Sequence, residues 1–312
     1  MARALGLDVG GTAIKWAVLD AGEVADHGSV PTPREGAESV VAAMAALAER
    51  AGPVAAAGVG VPGLYEPDGS ITLLPNVPGE WRGFPLAARL SQAIGVAPVA
   101  VCNDARAFTL AELRLGAGRQ CQTIVAVTLG TGVGGGVASG GRLHLGMGQR
   151  AGEIGHQVVD PLGMRCGCGA RGCVETVASA PAIVAAAARA VWQGVATDLV
   201  KACGGEPATL SAEIVADVAR AGDDFAVDIM QRAGRALGAA LANACTILAP
   251  ERIVVGGGVS SALDLLAPTI EQVIVERARL PFTPLVTAAE LGPKAGAIGA
   301  GLWGLESEES SA

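Results

Sequence analysis

One stretch of the chain, "GEIGHQVVDPLGMRCGCGARGCVE" at residues 152–175, carries four side chains of types that bind metal ions. His156 lies ten residues before Cys166, and Cys168 and Cys173 follow. One imidazole and three thiolates complete the tetrahedral shell of a structural Zn²⁺ and leave no position open for water. The alternative is a set of reduced surface thiols. The spacing favours zinc, whose closed shell would shape a pocket and perform no chemistry itself.

Two carboxylates flank the metal-binding side chains, Glu153 on one side and Glu175 on the other. A bound sugar needs several acceptors for its hydroxyl groups. Both residues are therefore candidates for sugar binding. The alternative is ordinary surface charge, which their closeness to the cysteine loop makes less attractive.

Two glycine-rich turns, Gly10-Gly11-Thr12 and Gly130-Thr131-Gly132, each separate two apolar segments. Where there is no Cβ, an anion can approach the backbone N–H groups closely, and the threonine hydroxyl adds a donor. Asp8 could hold Mg²⁺ or its water shell, and Lys15 could place a charge near a terminal phosphate. The alternative is a hairpin with glycines at positive φ. The presence of two such turns in one chain favours phosphate binding.

Two further strands end in residues that could serve a ligand, because ligands of α/β sheets bind at the carboxyl ends of strands. Asn103 and Asp104 follow a buried strand and begin a helix, where both residue types are preferred N-caps. A carboxylate here could instead accept the proton of a hydroxyl that attacks a phosphate. The patch Gly256-Gly257-Gly258 could leave bare backbone for an adenine or a ribose, and a simple strand-to-helix turn explains it equally well.

The elements that would position these residues alternate along the chain. Strands alternating with helices predict a largely parallel α/β core. Two glycine hairpins, within residues 5–20 and 123–143, predict a duplicated architecture with a domain boundary near residue 105. The sequence predicts helices over 36–51, 105–115, 181–192 and 223–248, and strands over 55–61, 98–102 and 253–255.

Composition and charge argue against several classes of protein. The chain has 312 residues, enough for one large domain or two ordinary ones, and it contains no run of 18 or more apolar residues. A net charge of −8 without a cluster of Lys or Arg argues against nucleic-acid binding. The start of the sequence lacks the pattern of a signal peptide, so a cytoplasmic location is expected. Four isolated cysteines are expected to be buried: Cys102, Cys121, Cys203 and Cys245.

Five of these segments together resemble the ROK family of repressors and sugar kinases, and match best its bacterial ATP-dependent glucokinase branch. They are "LGLDVGGTAIK", "VCNDA", "VTLGTGVGGG", "GEIGH" and "CGCGARGCVE", and the resemblance runs from about residue 4 to 304. It implies the actin-like ATPase (ribonuclease H-like) fold, a duplicated α/β fold of two domains with a cleft between them. The last helix, near 296–305, would return to the first domain. The domains would then be residues 1–105 with 296–312, and residues 106–295.

The resemblance also implies an activity, the ATP-dependent phosphorylation of the 6-hydroxyl of glucose, with Mg²⁺ and a structural Zn²⁺. Asp104 would be the catalytic base, and His156 would face both the zinc and the sugar. The sugar contacts would be Gly63, Asn76, Asn103, Asp104, Glu153, His156 and Glu175. The ATP contacts would be Asp8, Gly10, Gly11, Thr12, Lys15, Thr131, Gly132, Gly256, Gly257 and Gly258.

Two positions depart from the glucokinase pattern. Val174 stands where glucokinases often carry a bulky aromatic residue, and Thr176 is closer to kinases of amino sugars or ketoses. The alternatives are therefore a kinase for N-acetylmannosamine, N-acetylglucosamine or fructose and, in another class, a non-catalytic sugar-sensing regulator.

The resemblance also bears on partners. DNA-binding members carry an extra module before the first phosphate turn, and only seven residues precede Asp8 here. No nucleic-acid or membrane partner is therefore expected. The family suggests a homodimer or homotetramer.

Overall fold

The computed structural model of the protein describes residues 2–96, 98–195, 197–279 and 281–309. The chain forms two compact units. The first contains Met1–Arg119, Leu145–Arg150 and Glu290–Ala312, and the second contains Gln120–His144 and Ala151–Ala289. The limits predicted at residues 105 and 296 concern domains, which need not coincide with compact units, and they stay a prediction.

The strands of the described residues form two five-stranded sheets and one small hairpin. In chain order they are β1 (Ala4–Val9), β2 (Ala13–Asp20), β3 (Glu23–Pro31), β4 (Ala56–Val61), β5 (Leu64–Tyr65), β6 (Ile71–Leu73), β7 (Val99–Asn103), β8 (Ile124–Leu129), β9 (Val133–Ser139), β10 (Arg142–Leu143), β11 (Arg252–Gly256) and β12 (Leu285–Ala288).

The helices lie between the strands along the chain and after the last of them. They are α1 (Ala37–Ala51), α2 (Leu86–Ile94), α3 (Asp104–Arg114), α4 (Glu175–Ala178), α5 (Ala180–Trp192), α6 (Leu199–Ala202), α7 (Ala212–Arg220), α8 (Asp224–Leu248), α9 (Leu263–Ala278) and α10 (Ala295–Glu309). Short 3₁₀ turns lie at Ile154–His156 and Gly258–Ala262.

The two large sheets share one plan. Their strand orders are β3-β2-β1-β4-β7 and β10-β9-β8-β11-β12. In each sheet the central strand, β1 or β8, pairs antiparallel with the strand that follows it and parallel with a strand from later in the chain. The repeated plan confirms the predicted duplication.

The predicted helices and strands are present, and seven of them begin and end within one residue of the predicted limits. The sequence did not predict β3, α2, α7, α9 and β12. Strand β3 shows the reason: it is the edge strand of its sheet, and most of its side chains are exposed or half-buried. An edge strand needs no apolar run, so its sequence carries little signal.

Helix α10 packs on the first sheet with its backbone in close approach. A Cβ on Gly58 of β4 would lie 1.8 Å from the carbonyl oxygen of Ala300, and one on Gly6 of β1 would lie 1.9 Å from that of Ala297. A Cβ on Gly299 of the helix would lie 1.7 Å from the Ala107 oxygen of α3. Only glycine fits at these three positions, so the helix packs directly against β1, which carries Asp8, against β4, and against α3, which begins at Asp104.

One helical stretch of the described residues, Gly258–Ala278, is long and apolar enough to cross a membrane by length and composition. It contains α9, which buries Leu266, Ile270, Val273 and Ile274. Glycines of α8 let this helix approach closely, since a Cβ on Gly238 would lie 2.8 Å from the Val273 side chain. The contacts are those of a helix packed against a protein core.

Candidate active site

The first glycine turn joins β1 to β2 and is held by backbone and hydroxyl contacts. The Gly10 N–H donates to the Ala13 oxygen at 3.0 Å, and the Thr32 hydroxyl donates to the Gly10 oxygen at 2.6 Å. Neither Gly10 nor Gly11 has a positive φ. A Cβ on Gly11 would lie 2.1 Å from the Asn76 oxygen. The glycine is therefore needed for close packing, and the explanation by positive φ does not apply to this turn.

Asp8 and Lys15 face each other across β1 and β2, where they are register partners. The Lys15 Nζ lies 3.5 Å from the Asp8 Oδ2, and the Asp8 side chain is 14% exposed. Burial raises the pKa of the Asp8 carboxyl above its usual value, although the Lys15 ammonium opposes this change. The turn thus carries one carboxylate and one cation, as a site for a metal–phosphate complex requires.

Strand β7 ends at Asn103, and α3 begins at Asp104. The Asn103 Oδ1 accepts hydrogen bonds from the Ala105 and Arg106 N–H groups, at 3.1 and 3.3 Å. Asn103 is therefore the N-cap of α3. Asp104 occupies the first helical turn, half-buried, with its Oδ1 2.8 Å from the Ala105 nitrogen.

The two other candidate sugar contacts of the first unit lie in strained loops. Gly63 has a φ of 114°, and a Cβ there would lie 2.3 Å from the Leu73 oxygen. Asn76 has a φ of 63°, which is uncommon outside glycine. Such conformations cluster at functional sites.

Tyr65, which the sequence did not single out, lies beside this region. Its hydroxyl donates to the Gln149 Oε1 at 2.7 Å. The pKa of Tyr65 is raised, mainly by burial and to a smaller extent by the neighbouring Cys102. Arg106 and a hydrogen bond with the Asn103 backbone oppose this change. Tyr65 therefore contacts the backbone of the residue that caps α3. No sequence pattern marks it, because it belongs to a two-residue strand.

In the second unit the four predicted metal ligands converge. One ligand atom from each of His156, Cys166, Cys168 and Cys173 lies within 4.8 Å of every other. The His156 Nδ1 lies 3.6 Å from the Cys166 Sγ, and the sulfurs of Cys168 and Cys173 lie 3.7 Å apart. This arrangement can hold a metal ion.

The three thiols differ in electrostatics. Burial raises the pKa of Cys166 and raises that of Cys173 to about 12, whereas hydrogen bonding to the Ala170 backbone lowers the pKa of Cys168. Buried thiols of this kind need a cation to become thiolates.

Glu175, two residues after Cys173, contacts both the metal-binding cluster and the second glycine turn. Its Oε1 lies 3.6 Å from the Cys166 Sγ, and its Oε2 accepts a hydrogen bond from the Val133 N–H at 3.1 Å. A Cβ on Gly132 would lie 2.6 Å from the same Oε2. Neither Gly130 nor Gly132 has a positive φ. A side chain at position 132 would therefore displace the Glu175 carboxylate.

Glu153 is exposed just before the 3₁₀ turn that carries His156. The backbone of this turn packs on the second sheet, because a Cβ on Gly155 would lie 1.9 Å from the Val133 oxygen. The sequence grouped Glu153, His156 and Glu175 by closeness to the cysteines. The structure places all three on segments next to the second glycine turn.

The third glycine patch forms a strand-to-helix turn. Gly256 ends β11, Gly257 has a φ of 87°, and Gly258 begins a 3₁₀ turn. A Cβ on Gly257 would lie 2.3 Å from the oxygen of Leu129, the residue before the second glycine turn. The two glycine patches of the second unit are therefore neighbours.

The paired sheets with a glycine hairpin at the start of each define the fold as that of the actin-like ATPases. The chain matches the ROK family over residues 4–306 and belongs to it.

Three relatives illustrate the similarity. The glucokinase of Halalkalibacterium halodurans is 37% identical over 321 residues, which cover 98% of this chain and 96% of the relative. An N-acetylmannosamine kinase of Escherichia coli is 35% identical over 308 residues, covering 96% of this chain and 97% of the relative. A ROK family glucokinase from Streptomyces griseus, solved in complex with glucose and AMPPNP, is 34% identical with a TM-score of 0.83 and covers 97% of this chain and 99% of that one.

Proposed function

We propose that the protein is a glucokinase that transfers the γ-phosphate of ATP to the 6-hydroxyl of glucose. The observation that carries this proposal is the identity of 37% to a glucokinase over 98% of the chain. The residues of the family pattern are present, and they lie at turns and strand ends that can bind phosphate and sugar.

In the proposed mechanism the oxygen of the sugar 6-hydroxyl attacks the γ-phosphorus in line with the leaving group. The bond from phosphorus to the bridging oxygen breaks, ADP leaves, and the hydroxyl proton passes to the Asp104 carboxylate. Asn103 is the N-cap of α3, and the neighbouring Asp104 carboxylate is the proposed base.

We assign the sugar contacts to Gly63, Asn76, Asn103 and Asp104 of the first unit and to Glu153, His156 and Glu175 of the second. The phosphates are assigned to Gly10, Gly11, Thr12, Lys15, Thr131 and Gly132, and the adenosine to Gly256, Gly257 and Gly258. This assignment rests on the match of each position to the family pattern. The close packing around Gly11, Gly132 and Gly257 supports it, since these turns keep a defined shape.

Two metal ions belong to the proposal. Asp8 would bind Mg²⁺ or its water shell, because Mg²⁺ prefers carboxylate oxygens and retains several waters. His156, Cys166, Cys168 and Cys173 would hold a structural Zn²⁺, which their chemistry and mutual distances fit. When bound, zinc would fix the loop and the imidazole and would supply no catalytic step.

The two departures from the glucokinase pattern are compatible with glucose. The Val174 side chain is fully buried in the core of the second unit, and the Thr176 hydroxyl donates to the Cys173 oxygen at 2.7 Å. Neither side chain needs to contact a sugar. The similarity to an N-acetylmannosamine kinase keeps that sugar as the second candidate.

A cytoplasmic location and a homodimer or homotetramer complete the proposal. Sedimentation of the purified protein measures the number of subunits, and a monomer at micromolar concentration would contradict the assembly.

The test of the function is ADP release with MgATP and a panel of glucose, N-acetylmannosamine, N-acetylglucosamine and fructose. Glucose should give the highest kcat/KM, and the Asp104→Asn variant should turn over about 100- to 10,000-fold more slowly than the parent. A different best sugar would overturn the substrate assignment. Binding of sugar without ADP release from any of them would overturn the enzyme assignment in favour of a sugar-sensing regulator.

A further inference from the structure

The second glycine turn is held from three directions by the segments that carry the metal ligands. The Val133 N–H, at its end, donates to Glu175, and the Gly130 oxygen, at its start, accepts a hydrogen bond from the Ala180 N–H at 2.9 Å. The Val133 oxygen lies against Gly155, next to His156. The turn and the metal-binding cluster therefore form one packed body.

Few hydrogen bonds within the turn itself hold its conformation. Its internal backbone hydrogen bond joins the Gly130 N–H to the Gly132 oxygen at 3.0 Å. Two of its three residues are glycines, which lose more conformational freedom on ordering than other residues. The β8–β9 hairpin closes the turn at the Leu129–Val133 pair, and Glu175 adds a side-chain hydrogen bond to the Val133 N–H.

Glu175 is in turn fixed by the metal-binding loop. It follows Cys173 by two residues, begins α4, and has its Oε1 3.6 Å from the Cys166 Sγ. The Val174 N–H, one residue earlier, donates to the Gln157 oxygen beside His156 at 3.0 Å. Any displacement of the cysteine loop therefore moves the carboxylate that bonds to Val133.

We propose that Glu175 is a positioning residue for nucleotide binding, through which the metal centre orders the Gly130–Val133 turn. This inference rests on the proposed function only in taking that turn as a phosphate-binding loop. Glu175 would thus help to position the nucleotide-binding turn in addition to contacting the sugar. The metal would also have a second task besides holding His156.

The test measures the affinity of the parent chain and two variants for AMPPNP with Mg²⁺ by calorimetry, without any sugar. Glu175→Ala removes the acceptor and should weaken binding about tenfold, which corresponds to about 1.4 kcal/mol. Glu175→Gln keeps an oxygen that can accept from Val133 and should stay within about threefold of the parent. Cys203→Ala, at a buried cysteine outside the metal-binding cluster, is the control and should bind AMPPNP like the parent.

Hydrogen exchange gives a readout that a sugar contact alone would not move. The Val133 amide should exchange faster in Glu175→Ala than in the parent. It should also exchange faster in parent protein from which a chelator has removed the metal. Added zinc should restore its protection. If Glu175→Ala loses its metal or its fold, Gly132→Ala replaces it in the exchange measurement alone, because its Cβ would displace the Glu175 carboxylate. The AMPPNP affinity of Gly132→Ala is not a readout, since Gly132 is itself assigned to the phosphates.

Unchanged AMPPNP affinity and unchanged Val133 exchange in these variants would overturn the inference and leave Glu175 a sugar contact only. A parent chain that phosphorylates no sugar but shows the predicted loss of AMPPNP affinity would overturn the proposed function and keep the inference. A parent that binds no nucleotide would overturn both.

Discussion

Asn103 caps helix α3 with its Oδ1, and Asp104 beside it is the first residue of that helix. Either residue type is a good N-cap, so the sequence alone left open which of the two serves the helix and which serves a ligand. The structure gives the capping to Asn103. The two side chains are consequently separable by mutation.

We predict that Asn103→Ala lowers the free energy of unfolding by about 1 kcal/mol, the usual cost of a lost N-cap. Asp104→Asn should change stability by less than about 1 kcal/mol and should lower turnover about 100- to 10,000-fold, the range for loss of a general base. Urea unfolding and ADP release measure the two effects, and calorimetry should still detect glucose binding to Asp104→Asn. Turnover within a few-fold of the parent would show that Asp104 is not the base.

The sequence predicted those parts of the fold whose residues interact locally. Helices α1 and α8 have sustained apolar periodicity, and strands β1 and β4 are short apolar runs bounded by glycine or proline. Both glycine hairpins could be located for the same reason. Strand β3 could not, because its pairing with β2 at the sheet edge requires no local pattern.

The sequence alone could predict which residues belong to the candidate site. It could predict fewer of the contacts between them. The four metal ligands lie within 18 residues of sequence, so their spacing alone indicated that they converge. The contact of Glu175 with Val133 spans 42 residues, and that of Tyr65 with Gln149 spans 84. Such contacts depend on how the sheets fold, which residue types do not reveal.

The metal centre gives a second prediction. Cys166→Ser should lose the ion, because the four ligands act together and a serine hydroxyl is a poor zinc ligand. Metal analysis should find about one zinc per chain in the parent and almost none in the variant, with a melting temperature lower by about 5 °C or more. Cys203→Ala, at a buried cysteine outside the cluster, is the control and should keep the zinc. A parent that is fully active without zinc would contradict the assignment.

The packing of α10 on β4 gives a third prediction with a matched pair of variants. Gly58→Ala should destabilise the protein by about 3 kcal/mol or more, because its Cβ would lie 1.8 Å from the Ala300 oxygen. Gly60→Ala, two residues along the same strand, meets its nearest atoms at 3.7 Å and should change stability by less than about 1 kcal/mol. Urea unfolding measures both. Equal effects would mean that the helix does not approach the strand this closely.

The N-cap of α8 gives a prediction for the dependence of stability on pH. The Asp223 carboxylate accepts hydrogen bonds from the Ala226 and Asp198 N–H groups, at 2.9 and 2.8 Å, and from the Thr197 hydroxyl at 2.9 Å. Partial burial raises the pKa of Asp223, but these hydrogen bonds outweigh it, so the pKa lies below its usual value of 3.8. The carboxylate therefore contributes stability above about pH 4, which is lost as the pH falls through the lowered folded-state pKa.

Asp223→Ala should accordingly lower the free energy of unfolding by about 1 kcal/mol at pH 7, and the difference from the parent should shrink steadily between pH 4 and pH 3. Asp224→Ala is the control, because the Asp224 side chain, next to Asp223 in sequence, is exposed. This substitution should change the free energy of unfolding by a few tenths of a kcal/mol at any pH. Urea unfolding at pH 7, 5, 4 and 3 measures the series. A difference for Asp223→Ala that stays constant over this range would mean that its contribution does not depend on the ionised carboxylate.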